Sequence, residues 1–313
     1  MSKYDLAVIT GPTATGKTSL AALLAYTIDG EIISADSRQV YRNMTIGTGK
    51  DLADFIVNGT EIPYHLIDIH DAGYHYSVFE FQKDFNKAYQ DIRLRNHFPI
   101  LCGGTGLYIE AALKRYRLIE TPINENLRNE LADKDISVLI QMLIEMRPLH
   151  NSTDISDRQR LIRAIEIEQY SLDNPKLNMP LEKMEACVFA IHFDRETIRK
   201  RITQRLELRI EQGMIDEIKN LLSQGVPPSQ LEYYGLEYRY LTQYVTGALS
   251  YQQMFSQLNT AIHQFAKRQM TWFRKMQKEG TVIHWIDGNL DIKEKVNYIL
   301  YTMNSSNNVG TSD

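Results

Sequence analysis

Cysteine is nearly absent: Cys102 and Cys187 are the two in 313 residues. Two thiols make neither a disulfide framework nor a four-ligand zinc site, so a reducing cytoplasm is the expected setting. Long apolar runs are missing as well. Residues 186–191 are typical of the longest, far short of the ~20 that cross a bilayer, and no membrane association is expected. The opening Met1-Ser2-Lys3-Tyr4-Asp5 lacks an extended apolar region and a small-residue cleavage site, so no secretory leader is expected. No internal repeat is present. An excess of positive charge is also lacking: 35 Lys plus Arg face 39 Asp plus Glu, a formal net charge of −4. A basic total would have pointed to nucleic acid. Phosphate contacts need only local positive charge, however, so the basic residues must be weighed by position.

What is there is an ordinary globular balance, 43% hydrophobic and 24% charged, on a chain long enough for one large domain plus an insertion. Short apolar runs bounded by turn residues predict strands at 6–10, 31–34, 65–69 and 99–102, with two more at 188–193 and 282–286. Helical spacing predicts helices at 17–26 and 78–95 between the early strands. Strand–helix alternation of this kind predicts a mostly parallel sheet covered on both faces. From about residue 115 strand signals vanish, and helices are predicted at 125–132, 137–147 and 158–170. One long charged helix is predicted over 195–222 and another over 251–278. The expected organisation is an α/β core in two parts, residues 1–114 and 187–303, interrupted by a helical insertion at 115–186. A polar tail, 304–313, is expected to be disordered.

Gly11-Pro12-Thr13-Ala14-Thr15-Gly16-Lys17-Thr18 fits the pattern G-x-x-x-x-G-K-[ST] between a predicted strand and a predicted helix. Glycines let backbone N–H groups turn towards phosphate oxygens, and the helix start adds its positive end. Lys17 supplies a mobile charge, and Thr18 a hydroxyl for Mg²⁺. The motif specifies a diphosphate or triphosphate with Mg²⁺ but no particular chemistry. Asp36 directly follows a predicted strand, and ligands collect at the carboxyl ends of parallel strands. It is read as facing the phosphate loop, with a helix cap or turn role as the alternative.

Six blocks, in order, resemble the tRNA dimethylallyltransferases, also called tRNA isopentenyltransferases. They are residues 11–18; Ser34-Ala35-Asp36-Ser37-Arg38-Gln39-Val40-Tyr41-Arg42 with Ile46-Gly47-Thr48; Pro63-Tyr64-His65-Leu66-Ile67-Asp68 with Tyr76-Ser77; Gly103-Gly104-Thr105-Gly106-Leu107-Tyr108; Asp157-Arg158-Gln159-Arg160-Leu161-Ile162-Arg163-Ala164; and Gln264 through Arg274. The likeness spans about residues 5 to 287. Two stretches depart from the pattern. Gly49-Lys50-Asp51 stands where the family has Ala-Lys-Pro, and Gly235-Leu236-Glu237-Tyr238 where it has Gly-Tyr-Lys-Glu. The absence of a Cys/His zinc module suits a bacterial-type member.

The resemblance implies a P-loop NTPase-like parallel sheet with a helical tRNA-binding insertion. It implies transfer of a dimethylallyl group from dimethylallyl diphosphate to the exocyclic amine of the adenosine 3′-adjacent to the anticodon, with diphosphate released. Asp36 is the expected general base. Thr18 and Arg205 are expected to act at the leaving group, with Arg201 and the loop (Gly11, Pro12, Thr13, Ala14, Thr15, Gly16, Lys17) holding the diphosphate. Arg201, Arg205 and Arg209 are spaced by four and share a helix face, a solvated charged face being the other reading. Asp36, Ser37, Arg38, Gln39 and Thr105 are expected at the target base. Gln159, Arg160, Leu161, Ile162, Arg163, Lys267 and Arg268 are expected at the tRNA anticodon stem-loop. These clusters supply the local positive charge that the total lacks. No obligate protein partner is evident, and a monomer is expected. Three rivals share parts of the pattern: a small-molecule kinase, a prenyltransferase acting on free adenylate, and a non-catalytic nucleotide switch or RNA-binding protein.

Overall fold

The computed structural model describes residues 3–114, 120–146, 157–175 and 184–305. In chain order these form β1 (Leu6–Thr10), α1 (Lys17–Ile28), β2 (Gly30–Ser34), a one-turn 3₁₀ helix (Leu52–Phe55), β3 (Ile56–Val57), β4 (Thr60–Glu61), β5 (Tyr64–His65), α2 (Val78–Leu94), β6 (Phe98–Gly103) and α3 (Gly106–Lys114). Then follow α4 (Glu125–Ala132), α5 (Ile136–Met146), α6 (Arg158–Asp173), β7 (Ala186–His192), α7 (Arg195–Glu211), α8 (Met214–Ser223), α9 (Pro228–Tyr233), α10 (Leu236–Val245), α11 (Tyr251–Lys278), β8 (Ile283–Asp287) and α12 (Ile292–Ser305).

Six strands form one sheet in the order β5-β2-β6-β1-β7-β8, and every neighbouring pair is parallel. Side chains alternate between its faces. Leu6 and Val8 of β1 join one hydrophobic core, while Ala7 and Ile9 join another. The first core takes in Phe81 and Phe85 of α2, Tyr108 and Ile109 of α3, and Phe273 of α11. The second takes in Leu20 and Leu24 of α1 and Ile299 of α12. Both faces are covered, which is why the central strands read as unbroken apolar runs rather than as alternating patterns.

The chain divides into two compact units, Met1–Lys114 with Met184–Asp313, and Arg115–Lys183. In the smaller unit α4, α5 and α6 pack around Leu131, Leu139, Leu143, Leu161 and Ile165, all fully buried. Its buried carboxylate, Glu166, accepts from Arg128 (Nε 3.2 Å, Nη2 3.1 Å), from the Asn124 N–H and from Arg163. Burial raises the Glu166 carboxyl, and these hydrogen bonds outweigh that effect and leave it below its ordinary range.

Several sequence expectations change. Residue 186 belongs to the sheet, since Ala186 pairs with Leu6. The strand expected over 65–69 ends at His65, because Leu66 and Asp68 turn through positive φ (62° and 55°). The helix expected over 195–222 is two helices. Gly213 adopts φ 99° and caps α8, a conformation glycine reaches without steric cost. α12 runs to Ser305, and the remaining residues of the expected tail lie outside the described ones.

Candidate active site

At the carboxyl ends of β1, β2 and β6 lies a cavity of about 870 Å³. One wall is the turn between β1 and α1. Gly11 has φ 144°, Ala14 φ 64° and Gly16 φ 79°, the last forming the N-cap of α1. At Gly11 a Cβ would come within 2.7 Å of the Ile191 carbonyl oxygen, so the close approach of β7 requires glycine there. The helix start has no side-chain cap, which leaves its N–H groups available to an anion. Gly11 and Pro12 of this turn are buried and do not line the cavity, whereas residues 13–18 do.

Three cations converge on this wall. Lys17 Nζ donates to the Pro12 carbonyl at 2.7 Å. Burial draws its ammonium down to about 8, with the nearby Arg205 adding to the fall. Arg201 Nε donates to the Ala14 carbonyl at 2.8 Å while its guanidinium lies 4.7 Å from the Phe193 ring centroid. Arg205 Nη1 donates to Thr13 Oγ1 at 3.2 Å. Its guanidinium is brought down to about 10 by burial and by Arg209 beside it. The four-residue spacing on α7 places all three arginines along the cavity, Arg201 at its exposed side and Arg209 the most enclosed, its side chain 10% exposed.

The opposite wall follows β2. Asp36 lines the cavity, and its Oδ1 accepts from the Arg38 N–H at 2.8 Å. The turn-type contact and the cavity-facing position thus coexist in one carboxylate. Thr105, after β6, accepts from the Ser37 N–H at 3.2 Å and so locks the Asp36 loop to the β6 end. Gly103 is needed there, because a Cβ would lie 2.3 Å from the Ala35 carbonyl oxygen. Gln39 accepts from Ser34 Oγ at 3.0 Å and donates to the Gly49 carbonyl at 3.1 Å.

Arg268 lines the cavity, whereas Lys267 is exposed on α11 and does not. Gln159 and Arg160 are exposed and Ile162 is partly buried on α6. Leu161 is fully buried in the core of its unit, which leaves no surface for an RNA contact. Arg163 is engaged internally, paired with Glu166 and donating to the Thr121 carbonyl at 2.7 Å.

Sequence reasoning overlooked four contributors. Gln269 of α11 accepts from the Thr13 N–H at 2.9 Å and donates to the Gly104 carbonyl at 2.8 Å, bracing the phosphate loop against β6. Glu217 of α8 accepts the N–H groups of Thr45, Ile46 and Gly47 at 2.8, 2.7 and 3.1 Å, fixing the Ile-Gly-Thr loop. Tyr233 lies at the cavity wall with Arg38 5.5 Å from its ring centroid. Glu237, from the second departing stretch, also lines the cavity, and burial pushes its carboxyl up. The only signal for Glu237 was that departure, and the other three meet partners too distant in sequence for spacing to show.

A parallel sheet, a glycine-rich turn opening on a helix and cations gathered at the strand ends define an α/β enzyme of the P-loop class. Known proteins narrow this further. The family model described as IPP transferase matches residues 39–276, and that described as isopentenyl transferase matches residues 4–66. A tRNA dimethylallyltransferase 2 of Phocaeicola vulgatus is 53% identical over 98% of this chain and 100% of its own length. A tRNA dimethylallyltransferase 1 of Parabacteroides distasonis is 53% identical over 97% of this chain and 99% of its own. The crystal structure of the tRNA isopentenylpyrophosphate transferase of Bacillus halodurans superposes with a TM-score of 0.69 at 30% identity, covering 97% of this chain and 98% of that one. The chain belongs to the tRNA dimethylallyltransferase family.

Proposed function

We propose that this protein transfers a dimethylallyl group from dimethylallyl diphosphate to the exocyclic amine of the adenosine 3′-adjacent to the anticodon in tRNA, releasing diphosphate. The observation that supports this most is a single cavity lined on one side by the phosphate loop and its cations and on the other by Asp36.

Two obstacles stand in the way of the reaction. The amine's lone pair is delocalised into the purine ring, and the leaving group is highly charged. Asp36 accepts a proton from the amine as the new C–N bond forms, a contribution of roughly 10²–10⁴ in rate. The same carboxylate holds the amine in line. Lys17, Arg201, Arg205 and the N–H groups at the start of α1 take the charge that develops on the diphosphate as the C–O bond breaks. A target base stacked in a loop has to swing out before it reaches Asp36, and Ser37, Arg38, Gln39 and Thr105 form the receiving pocket. Gln159, Arg160 and Ile162 of α6, with Lys267 and Arg268 of α11, meet the anticodon stem-loop. One chain carries every residue this reading uses, so a monomer suffices.

Mg²⁺ fits the residues present. Thr18 and Asp54 line the cavity, and Ser19 holds the Asp54 carboxyl beside the first turn of α1, giving hard oxygen donors where phosphates bind. Mg²⁺ keeps several waters and is held by few protein oxygens plus phosphate, a demand that one hydroxyl and one carboxylate can meet. When bound it would neutralise diphosphate charge.

Labelled dimethylallyl diphosphate with Mg²⁺, offered bulk tRNA, AMP or ATP, tests the reading. Label entering only tRNA supports it; label in AMP or ATP would favour an adenylate prenyltransferase. Asp36→Ala should lower transfer by at least 10²-fold while tRNA affinity stays within about tenfold. Equal loss of both would make Asp36 a binding residue.

A further inference from the structure

Arg205 and Arg209 face the cavity, yet in this structure neither guanidinium is free. Asp51 Oδ2 lies 3.3 Å from Arg205 Nη2 and 3.2 Å from Arg209 Nη2, and its Oδ1 lies 3.4 Å from the latter. We infer that Asp51 is the resident counter-ion of the diphosphate site: it holds both arginines while no anion is bound and competes with diphosphate for them. This rests on the reading above that the cavity takes the diphosphate.

The loop is built to present this carboxylate. Gly49 has φ 72°, and a Cβ on it would fall 2.4 Å from Arg209 Nη2 and 2.8 Å from Arg205 Nη2. The two guanidiniums therefore lie directly on the main chain. The loop itself is pinned. Lys50 is buried and donates to the Tyr41 carbonyl and to Asp68. Gln39 holds the Gly49 carbonyl, and Glu217 holds the three N–H groups of residues 45–47. Asp51 can therefore leave only by rotating its side chain, not by carrying the loop away. That rotation is open to it. Its side chain is 51% exposed and makes no cap hydrogen bond to the 3₁₀ helix it precedes.

Glu237 lines the same cavity and Arg205 and Arg209 act on it, but burial pushes its carboxyl up, so Asp51 is the carboxylate that engages the pair. A competing carboxylate lowers affinity for a polyanion, because two negative groups cannot share one pair of cations without mutual repulsion. The grip on both donor and released diphosphate is thereby loosened.

Calorimetric titration of the full chain with inorganic diphosphate and Mg²⁺ tests this in wild type, Asp51→Asn, Asp51→Ser, Asp51→Glu and Arg205→Gln. Both neutral variants should bind diphosphate about three- to tenfold more tightly at low ionic strength. The gain should fade in high salt, and product inhibition of transfer should strengthen by the same factor. Asp51→Glu should stay near wild type. Unchanged or weaker binding in the two neutral variants would overturn the inference and leave Asp51 as a structural anchor. Arg205→Gln separates the underlying reading: it should weaken diphosphate about tenfold or more. If it binds like wild type, the cavity is not the diphosphate site, and the inference falls with that reading.

Discussion

Lys17 is an ammonium held where water is scarce. Burial draws it to about 8, so near neutrality it still carries its charge, and just above that it begins to lose it. A bound diphosphate would raise it again, so binding in that range takes up a proton. Affinity for an alkyl diphosphate should accordingly be flat below about pH 8 and fall several-fold by pH 9. Titration in two buffers of different ionisation heat would show the proton uptake, and an affinity that does not change across this range would contradict it. At this scale the reach of sequence reading is set by distance along the chain. Lys17, Thr18 and Asp36 are legible because a local motif or a strand end announces them. Gln269 is not, since its partner Thr13 lies 256 residues away. Nor is Asp51, whose meaning depends on an arginine 154 residues further on.

Secondary-structure elements were legible where one period ran without interruption, as in β1, α1 and α11. They were misread where apolar spacing continued through a break. Gly213 separates α7 from α8 at φ 99°, yet the apolar pattern of residues 195–222 crosses it unchanged. The break places Glu217 on a separate helix, from which it holds the loop of residues 45–47. A Cβ at Gly213 would meet nothing within 4 Å, so replacement is opposed by backbone conformation alone. Gly213→Ala should destabilise the protein by about 1–2 kcal/mol in chemical denaturation. No loss would mean that the junction relaxes into a continuous helix. The shortened strand at β5 has a similar origin. Leu66 and Asp68 leave the extended region, and Asp68 thereby meets the buried Lys50. A tertiary ion pair overrides a local apolar run there, and no window of sequence contains both partners' reasons.

Across the whole molecule, the edge of the sheet is tied by a buried acid at the start of β2. Glu31 is bound by Arg95 through Nη2 at 2.7 Å and Nε at 3.1 Å, and by His65 at 2.7 Å. Burial raises its carboxyl, but the hydrogen bonds from Arg95 and His65 outweigh this and hold it below the ordinary carboxylate range. A group lowered on folding stabilises the native state above its unfolded pKa, about 4.3, and that stability is lost as pH falls through the folded value. Glu31→Gln should therefore lower the denaturant midpoint at pH 7, and the difference from wild type should shrink towards pH 3. A constant difference at both pH values would assign the effect to packing instead.

The brace formed by Gln269 bears on how the protein comes into being at the ribosome. Synthesis runs from the N-terminus at roughly 5–20 residues per second, so the glycine-rich turn emerges well before the glutamine that will hold it. Its strand, too, awaits β7, its neighbour on one side in the finished sheet. A nascent chain stalled before residue 269 would carry the whole phosphate motif yet lack the contact that steadies it, and so should capture diphosphate poorly. Ligand competence should arrive late and abruptly during translation.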